Sequence, residues 1–142
     1  MRTSIVSPTV SPKPRALIVE DEILIAEELR ERLAGLGFSV IAAVDSAEQG
    51  IAIATRERPD LVLMDIRLKG AKDGVQAAKE IHERMDVPLV YLTAHSDQLT
   101  VDRARRTHYD GFILKPFRAL ELQSTIEIAM QRHAMRTKQG EQ

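Results

Sequence analysis

Four apolar runs without alternation punctuate this chain, and each stops at a polar residue with reactive chemistry. Ala16-Leu17-Ile18-Val19 precedes Glu20-Asp21, Leu61-Val62-Leu63-Met64 precedes Asp65, Leu89-Val90-Tyr91-Leu92 precedes Thr93, and Phe112-Ile113-Leu114 precedes Lys115. Runs of Val, Ile and Leu that do not alternate with polar residues suit strands buried on both faces. The segments between them read as helices, so the pattern predicts an α/β fold with a parallel sheet. Every strand of such a sheet has its carboxyl end on one edge, where open α/β sheets bind their ligands. Glu20, Asp21, Asp65, Thr93 and Lys115 are therefore expected in one crevice.

The first helix is expected over about residues 23–35, with Ile25, Leu29 and Leu33 on one face, Glu28 and Arg32 paired outside, and Gly35 or Gly37 ending it. Phe38 to Val44 reads as the second strand. Ala47, Ile51 and Ala54 line a second helix that closes before Pro59, because the residue preceding a proline is pushed out of the helical region. Asp60 to Met64 reads as the third strand. Asp73 and Gln76 form a capping-box signal for a third helix that turns Val75, Ala78 and Ile81 inward. Pro88 opens the fourth strand. The fourth helix, about 97–107, offers only Leu99, Val101 and Ala104 as apolar contacts, so light anchoring and freedom to move are expected of it. Its Arg103, Arg105 and Arg106 suit a partner patch or a solvated face. The last helix, from about 118 into the 130s, buries Leu122, Ile126, Ala129 and His133 along one stripe and leaves Leu120 and Ile128 off it.

Residues 1–14 are rich in Ser, Thr and Pro and read as a disordered tail, in which Ser7-Pro8 and Ser11-Pro12 are candidate phosphorylation sites. Residues 135–142 read as a polar carboxyl-terminal tail. What lies between is one domain by length, since the chain has 142 residues and 44% hydrophobic content suffices for an ordinary core. Twenty basic against twenty-one acidic residues leave a formal charge of −1, so no overall field recruits nucleic acid or an anionic membrane, and neither is expected as a partner. The absence of cysteine excludes disulfide scaffolds, thiolate metal sites and thiol nucleophiles. No apolar run approaches the roughly 18 residues of a membrane helix, and no secretory signal opens the chain, so a cytoplasmic protein is expected.

The chemistry then follows from the crevice. Three carboxylates at adjacent strand ends repel one another unless a divalent cation sits between them, and oxygen-only ligands favour Mg²⁺ over Zn²⁺. A magnesium site uses one or two carboxylates, which frees the third for nucleophilic attack. Lys115 supplies a positive charge and Thr93 a hydroxyl for the oxygens of a phosphoryl group. The set matches phosphoryl transfer, in which positioning and charge neutralisation do most of the work. Lys115-Pro116, directly after a buried strand, is a candidate cis peptide.

With an acidic pair ending the first strand, "LVLMD" the third, "LTA" the fourth and "KPF" after the fifth, the chain resembles the receiver domains of two-component response regulators over about residues 15–134. The resemblance implies a doubly wound, five-stranded parallel sheet in the order 2-1-3-4-5, flanked by five helices, the flavodoxin-like receiver fold. It implies that Asp65 is the phosphoacceptor, Asp21 a direct Mg²⁺ ligand, Glu20 a ligand through water, and the Arg67 carbonyl a further ligand. Thr93 and Lys115 would bind phosphoryl oxygens, and Thr93 with Phe112 would form the switch, Phe112 reporting by packing alone because it lacks a hydroxyl. Tyr109, nearby but outside the strand, ranks below Phe112. Arg67 and His95, each two positions beyond a site residue, are candidates to tune hydrolysis, with a plain surface-loop role as the alternative. The loop "IRLKGAKDG" departs from the family pattern by carrying Lys69 where many members have proline.

The function expected is that of a stand-alone phosphoacceptor in a two-component system or phosphorelay. It takes a phosphoryl group from a histidine kinase or phosphotransfer protein and signals to a downstream protein, rather than acting as an enzyme on a separate substrate. Leu120 and Ile128 suggest a homodimer or partner contact through the last helix. Three other readings stand beside it: a small-molecule phosphohydrolase with Asp65 as nucleophile, a flavin-binding module, and a phosphorylation-independent interaction module. The first is disfavoured by Arg67, where haloacid-dehalogenase-like enzymes have an acid/base Asp, and the second by the lack of a Ser/Thr/Gly-rich loop after the first strand.

Overall fold

The computed structural model describes residues 12–94 and 98–140, in which strand and helix alternate five times. The elements are β1 (Arg15–Val19), α1 (Ile23–Gly35), β2 (Ser39–Val44), α2 (Ala47–Glu57), β3 (Leu61–Asp65), α3 (Gly74–Arg84), β4 (Leu89–Thr93), α4 (Gln98–Arg105), β5 (Gly111–Leu114) and α5 (Ala119–Gly140). All neighbouring strands are parallel and the sheet order is β2-β1-β3-β4-β5, as expected.

The first three apolar runs do not alternate because both faces of the sheet are covered there; in the edge strand β5 the expected burial is not reached, since only Ile113 is buried and Leu114 is 46% exposed. Leu17, Val19, Val62, Met64, Leu89 and Tyr91 point to one face, where Ala47, Ile51 and Ala54 of α2 and Val75, Ala78 and Ile81 of α3 complete the core. Ala16, Ile18, Leu61, Leu63, Val90 and Leu92 point to the other, against Leu29 and Leu33 of α1 and Leu122, Ile126 and Ala129 of α5. Each fully buried aliphatic side chain is worth about 1.5–3 kcal/mol, so these two layers dominate the stability. Asp73 accepts from the Gln76 amide while the Gln76 side chain accepts from the Asp73 amide, the capping box expected for α3. Glu28 and Arg32 pair at 3.7 Å on the outer side of α1.

Several boundaries differ from expectation. Asp60 lies outside β3: its carboxylate accepts the Arg15 amide at 2.7 Å and its own amide donates to the Arg15 carbonyl, so the strand starts at Leu61 and carries Asp65 within it. In α4 the expected contact from Leu99 is not made; Leu99 is 78% exposed and only Ala104 is buried. The expected polar tail from 135 is helical to Gly140. Residues 130–139 contain neither proline nor glycine and consist mostly of strong helix formers, and Arg136 anchors them to Asp110 at 3.0 Å and Asp86 at 3.4 Å. His133 is half-buried beside the Asp86 carbonyl rather than in the core. The Ser7-Pro8 and Ser11-Pro12 pairs and His95 lie outside the described residues. Among the described residues no helix is long and apolar enough to cross a membrane.

Candidate functional site

Because β1 has β2 on one side and β3 on the other, the strand order reverses between β1 and β3, and a crevice opens at their carboxyl ends. Backbone hydrogen bonds beyond the strands hold the crevice residues in place. Glu20 N–H donates to the Val44 carbonyl at 2.9 Å, Ile66 N–H to Leu92 at 3.0 Å, and Lys115 N–H to Thr93 at 2.7 Å. The last bond ties the lysine to the threonine across β4 and β5, and the Lys115–Pro116 peptide bond that follows is cis.

Within this frame the charged groups converge. Lys115 Nζ lies 2.7 Å from Glu20 Oε1, 3.3 Å from Asp65 Oδ2 and 3.3 Å from Glu22 Oε1. Glu20, Asp65 and Thr93 are buried, at 2%, 4% and 4% exposure. Asp65 Oδ1 accepts the Arg67 amide at 3.1 Å, and Asp21 Oδ2 accepts the Lys69 amide at 3.3 Å, so the loop after β3 is fixed to both carboxylates. Among the described residues Thr93 Oγ1 donates locally, to the Ala94 carbonyl at 3.0 Å.

Burial first, and the Glu20 charge second, push the Asp65 carboxyl up to about 7, against the opposing pull of Lys115 and the Arg67 amide. Burial alone would lower the Lys115 ammonium, but Glu20 and Asp65 outweigh it and hold the ammonium above its ordinary value. Glu20 Oε1 meets that ammonium without hydrogen-bond geometry and is a buried oxygen with no hydrogen-bond donor. Oxygens of Glu20, Asp21 and Asp65 all lie within 4.8 Å of one another. An unsatisfied buried carboxylate oxygen and mutual repulsion among three carboxylates fit a small, hard divalent cation of the Mg²⁺ type. A cleft of about 300 Å³ lined by Glu20, Asp21, Ala26, Arg30 and Asp45 opens beside them.

The expected switch residues occupy adjacent strands. Tyr91 pairs with Phe112 and Thr93 with Leu114 in the sheet register, and strand alternation puts Tyr91 and Thr93 on the same face. Phe112 is half-buried, with ring centroids 5.4 Å from Tyr91 and 4.6 Å from Tyr109, and the Arg105 guanidinium sits 5.1 Å above it. Tyr109 is thus part of the same cluster. Tyr91 in turn shares a 2.7 Å hydrogen bond with Thr107, just past the end of α4.

Two contributors escaped the sequence reading. Glu22 reaches Lys115 across 93 residues of sequence. Gly74 opens α3 where any Cβ would overlap the Asp65 carbonyl oxygen, and its amide donates to Ile66 at 2.8 Å. A glycine directly after the cap was visible as a signal of close backbone approach. The Arg67 side chain is exposed, on the surface of the loop.

The profile of the response regulator receiver domain matches residues 16–127. The transcriptional regulatory protein PdtaR of Mycobacterium tuberculosis is 36% identical over 118 residues, 83% of this chain and 57% of that protein. The KDP operon transcriptional regulatory protein KdpE of Escherichia coli is 33% identical over 121 residues, 85% of this chain and 53% of that protein. The chain thus spans little more than half the length of these curated relatives. Among solved structures, the signal receiver domain of a modulated diguanylate cyclase from Desulfovibrio desulfuricans superposes with a TM-score of 0.82 at 36% identity, covering 88% of this chain and 99% of that one. The receiver domain of a sensor histidine kinase from Pseudomonas aeruginosa, with magnesium coordinated in its active-site cleft, gives a TM-score of 0.77 at 29% identity, covering 84% and 99%.

Proposed function

The chain belongs to the response regulator receiver domain family, and from that premise we propose that it is a phosphoacceptor whose Asp65 takes a phosphoryl group from a phosphohistidine donor on a histidine kinase or phosphotransfer protein. The observation that carries this reading is the convergence on Asp65: an ammonium 3.3 Å from its Oδ2, and two further carboxylates within 4.8 Å. In the reaction, an Asp65 carboxylate oxygen bonds to phosphorus as the bond from phosphorus to the imidazole nitrogen breaks, and the departing imidazole keeps the electron pair and takes up a proton. Lys115 neutralises one phosphoryl oxygen and Thr93 donates its hydroxyl to another. Asp21, Asp65, the Arg67 carbonyl and, through water, Glu20 would hold Mg²⁺, which when bound offsets the charge of the phosphoryl oxygens. Arg67 and His95 are placed by sequence to influence hydrolysis of the phosphorylated form.

The signal follows from Thr93. Among the described residues its hydroxyl bonds to the neighbouring Ala94 carbonyl, a local bond that a phosphoryl oxygen can replace. The space it leaves lies on the face where Phe112 packs, and inward movement of that ring would alter the surface formed by α4, β5 and α5. Leu120 and Ile128, 70% and 49% exposed on α5, suit a downstream protein or a second copy there.

Mass measurement after incubation with a small phosphodonor and Mg²⁺ tests the reading. Gain of one phosphoryl group is expected in the wild type, with none in Asp65→Asn or after chelation. No gain in the wild type, including with candidate kinases, overturns it.

A further inference from the structure

Glu22 stands at the N-cap of α1, where Ser, Thr, Asp and Asn normally accept a helix amide and stabilise by about 0.5–2 kcal/mol. Its backbone is extended, as a cap requires, yet its side chain makes no capping hydrogen bond. The carboxylate lies instead 3.3 Å from Lys115 Nζ. Its main chain is fixed to the same centre, because Glu22 N–H donates to Glu20 Oε2 at 3.0 Å. α1 thus forgoes a cap while a carboxylate is held at the ammonium.

Three carboxylates surround this ammonium and they are not equivalent. Glu20 and Asp65 side chains are 0% and 6% exposed, whereas that of Glu22 is 63% exposed. Glu22 therefore covers the solvent side of Lys115, whose own side chain is 11% exposed. Its hydrogen bonds go to Glu22 and Asp65, and its pairing with Glu20 lacks hydrogen-bond geometry, so a phosphoryl oxygen that draws the ammonium inward competes with the exposed Glu22 bond. Asp65 receives the phosphoryl group and Glu20 is enclosed, which leaves Glu22 as the partner that gives way. Exposed ion pairs are weak, so the exchange is cheap.

We infer that Glu22 is a positioning and donor-selecting residue: it holds Lys115 at the mouth of the site before transfer, is displaced by the phosphoryl group, and by its charge slows the approach of strongly anionic phosphodonors. This rests on the phosphoacceptor reading of Asp65. The charge acts most on the most negative donor and fades as salt screens it.

The test compares phosphorylation rates of the wild type, Glu22→Gln and Glu22→Ser with acetyl phosphate and with phosphoramidate, which carries less net negative charge, at low and high salt in saturating Mg²⁺. Both variants are expected to react several-fold faster than wild type with acetyl phosphate at low salt, with a smaller gain for phosphoramidate and a reduced gain at high salt. Glu22→Ser restores a capping side chain and is expected to raise the melting temperature while keeping the kinetic gain, which separates the helix end from the site. Equal rates in wild type and variants, or a change that ignores donor charge and salt, overturns the role of Glu22. A wild type that accepts no phosphoryl group overturns the underlying reading instead.

Discussion

Asp65 depends on a residue with no side chain. Gly74 brings the start of α3 against the Asp65 carbonyl so closely that a methyl group would overlap backbone, which cannot rotate away. Gly74→Ala is therefore expected to destabilise the fold by about 1–3 kcal/mol, the usual range for overpacking. It should also reduce phosphorylation of the fraction that remains folded, because the shift is taken up at the strand end carrying Asp65. Urea unfolding and the phosphorylation rate measured well below the transition check both parts. A variant as stable and as reactive as wild type would show that the approach can relax without consequence. Asp65 and Thr93 were legible because each ends a run buried along its whole length, and Lys115 because it follows an apolar run, although β5 buries only Ile113. Glu22 was not, since the residue giving its charge a purpose lies 93 positions away.

Among the elements, α4 and the end of α5 differ in how they are held. α4 buries only Ala104; Arg103 bonds Asp73 at 2.8 Å, Arg105 lies over Phe112, and Thr107, just past its end, bonds Tyr91. Elements with few apolar contacts open locally at low free energy. Arg103→Gln is expected to speed amide exchange in α4 severalfold while amides of β1 and β3 keep their protection, as hydrogen exchange followed by NMR would show. The end of α5 is fixed more firmly, because Asp110 is 2% exposed and its carboxylate accepts both the Leu89 amide at 3.0 Å and Arg136 at 3.0 Å. Removing the guanidinium leaves a buried carboxylate short of a partner, so Arg136→Gln is expected to cost roughly 1–3 kcal/mol in denaturant unfolding. The strand–helix order could be read from periodicity. The reach of α5 could not, because residues 135–140 show no apolar stripe and are secured by one arginine whose partners sit in the loops before β4 and β5.

Across the molecule, stability near neutral pH reflects two buried groups with opposite signs. His82 packs edge-on against His108 and bonds through Nε2 to the Val87 carbonyl at 2.9 Å. Burial lowers its pKa from 6.5, outweighing the Val87 bond and the distant charges of Asp110 and Asp86, with His108 adding to the depression. The unfolded chain then binds the proton more readily than the folded one, so the contribution of His82 is intact above pH 6.5 and is lost as pH falls through its depressed folded value. Asp65 works the other way: its folded value of about 7 exceeds the ordinary 3.8, so the folded state binds more protons and gains stability as pH falls across that interval. The raw pH profile mixes the two. The difference between wild type and His82→Gln removes Asp65, which both proteins share. Chemical denaturation should show wild type losing stability relative to His82→Gln as pH is lowered from 7.5 toward 5.5, values that bracket the ordinary histidine pKa of about 6.5. A constant difference across that range would mean that His82 titrates alike in both states and that its enclosure between α3 and the segment after α4 has no electrostatic consequence.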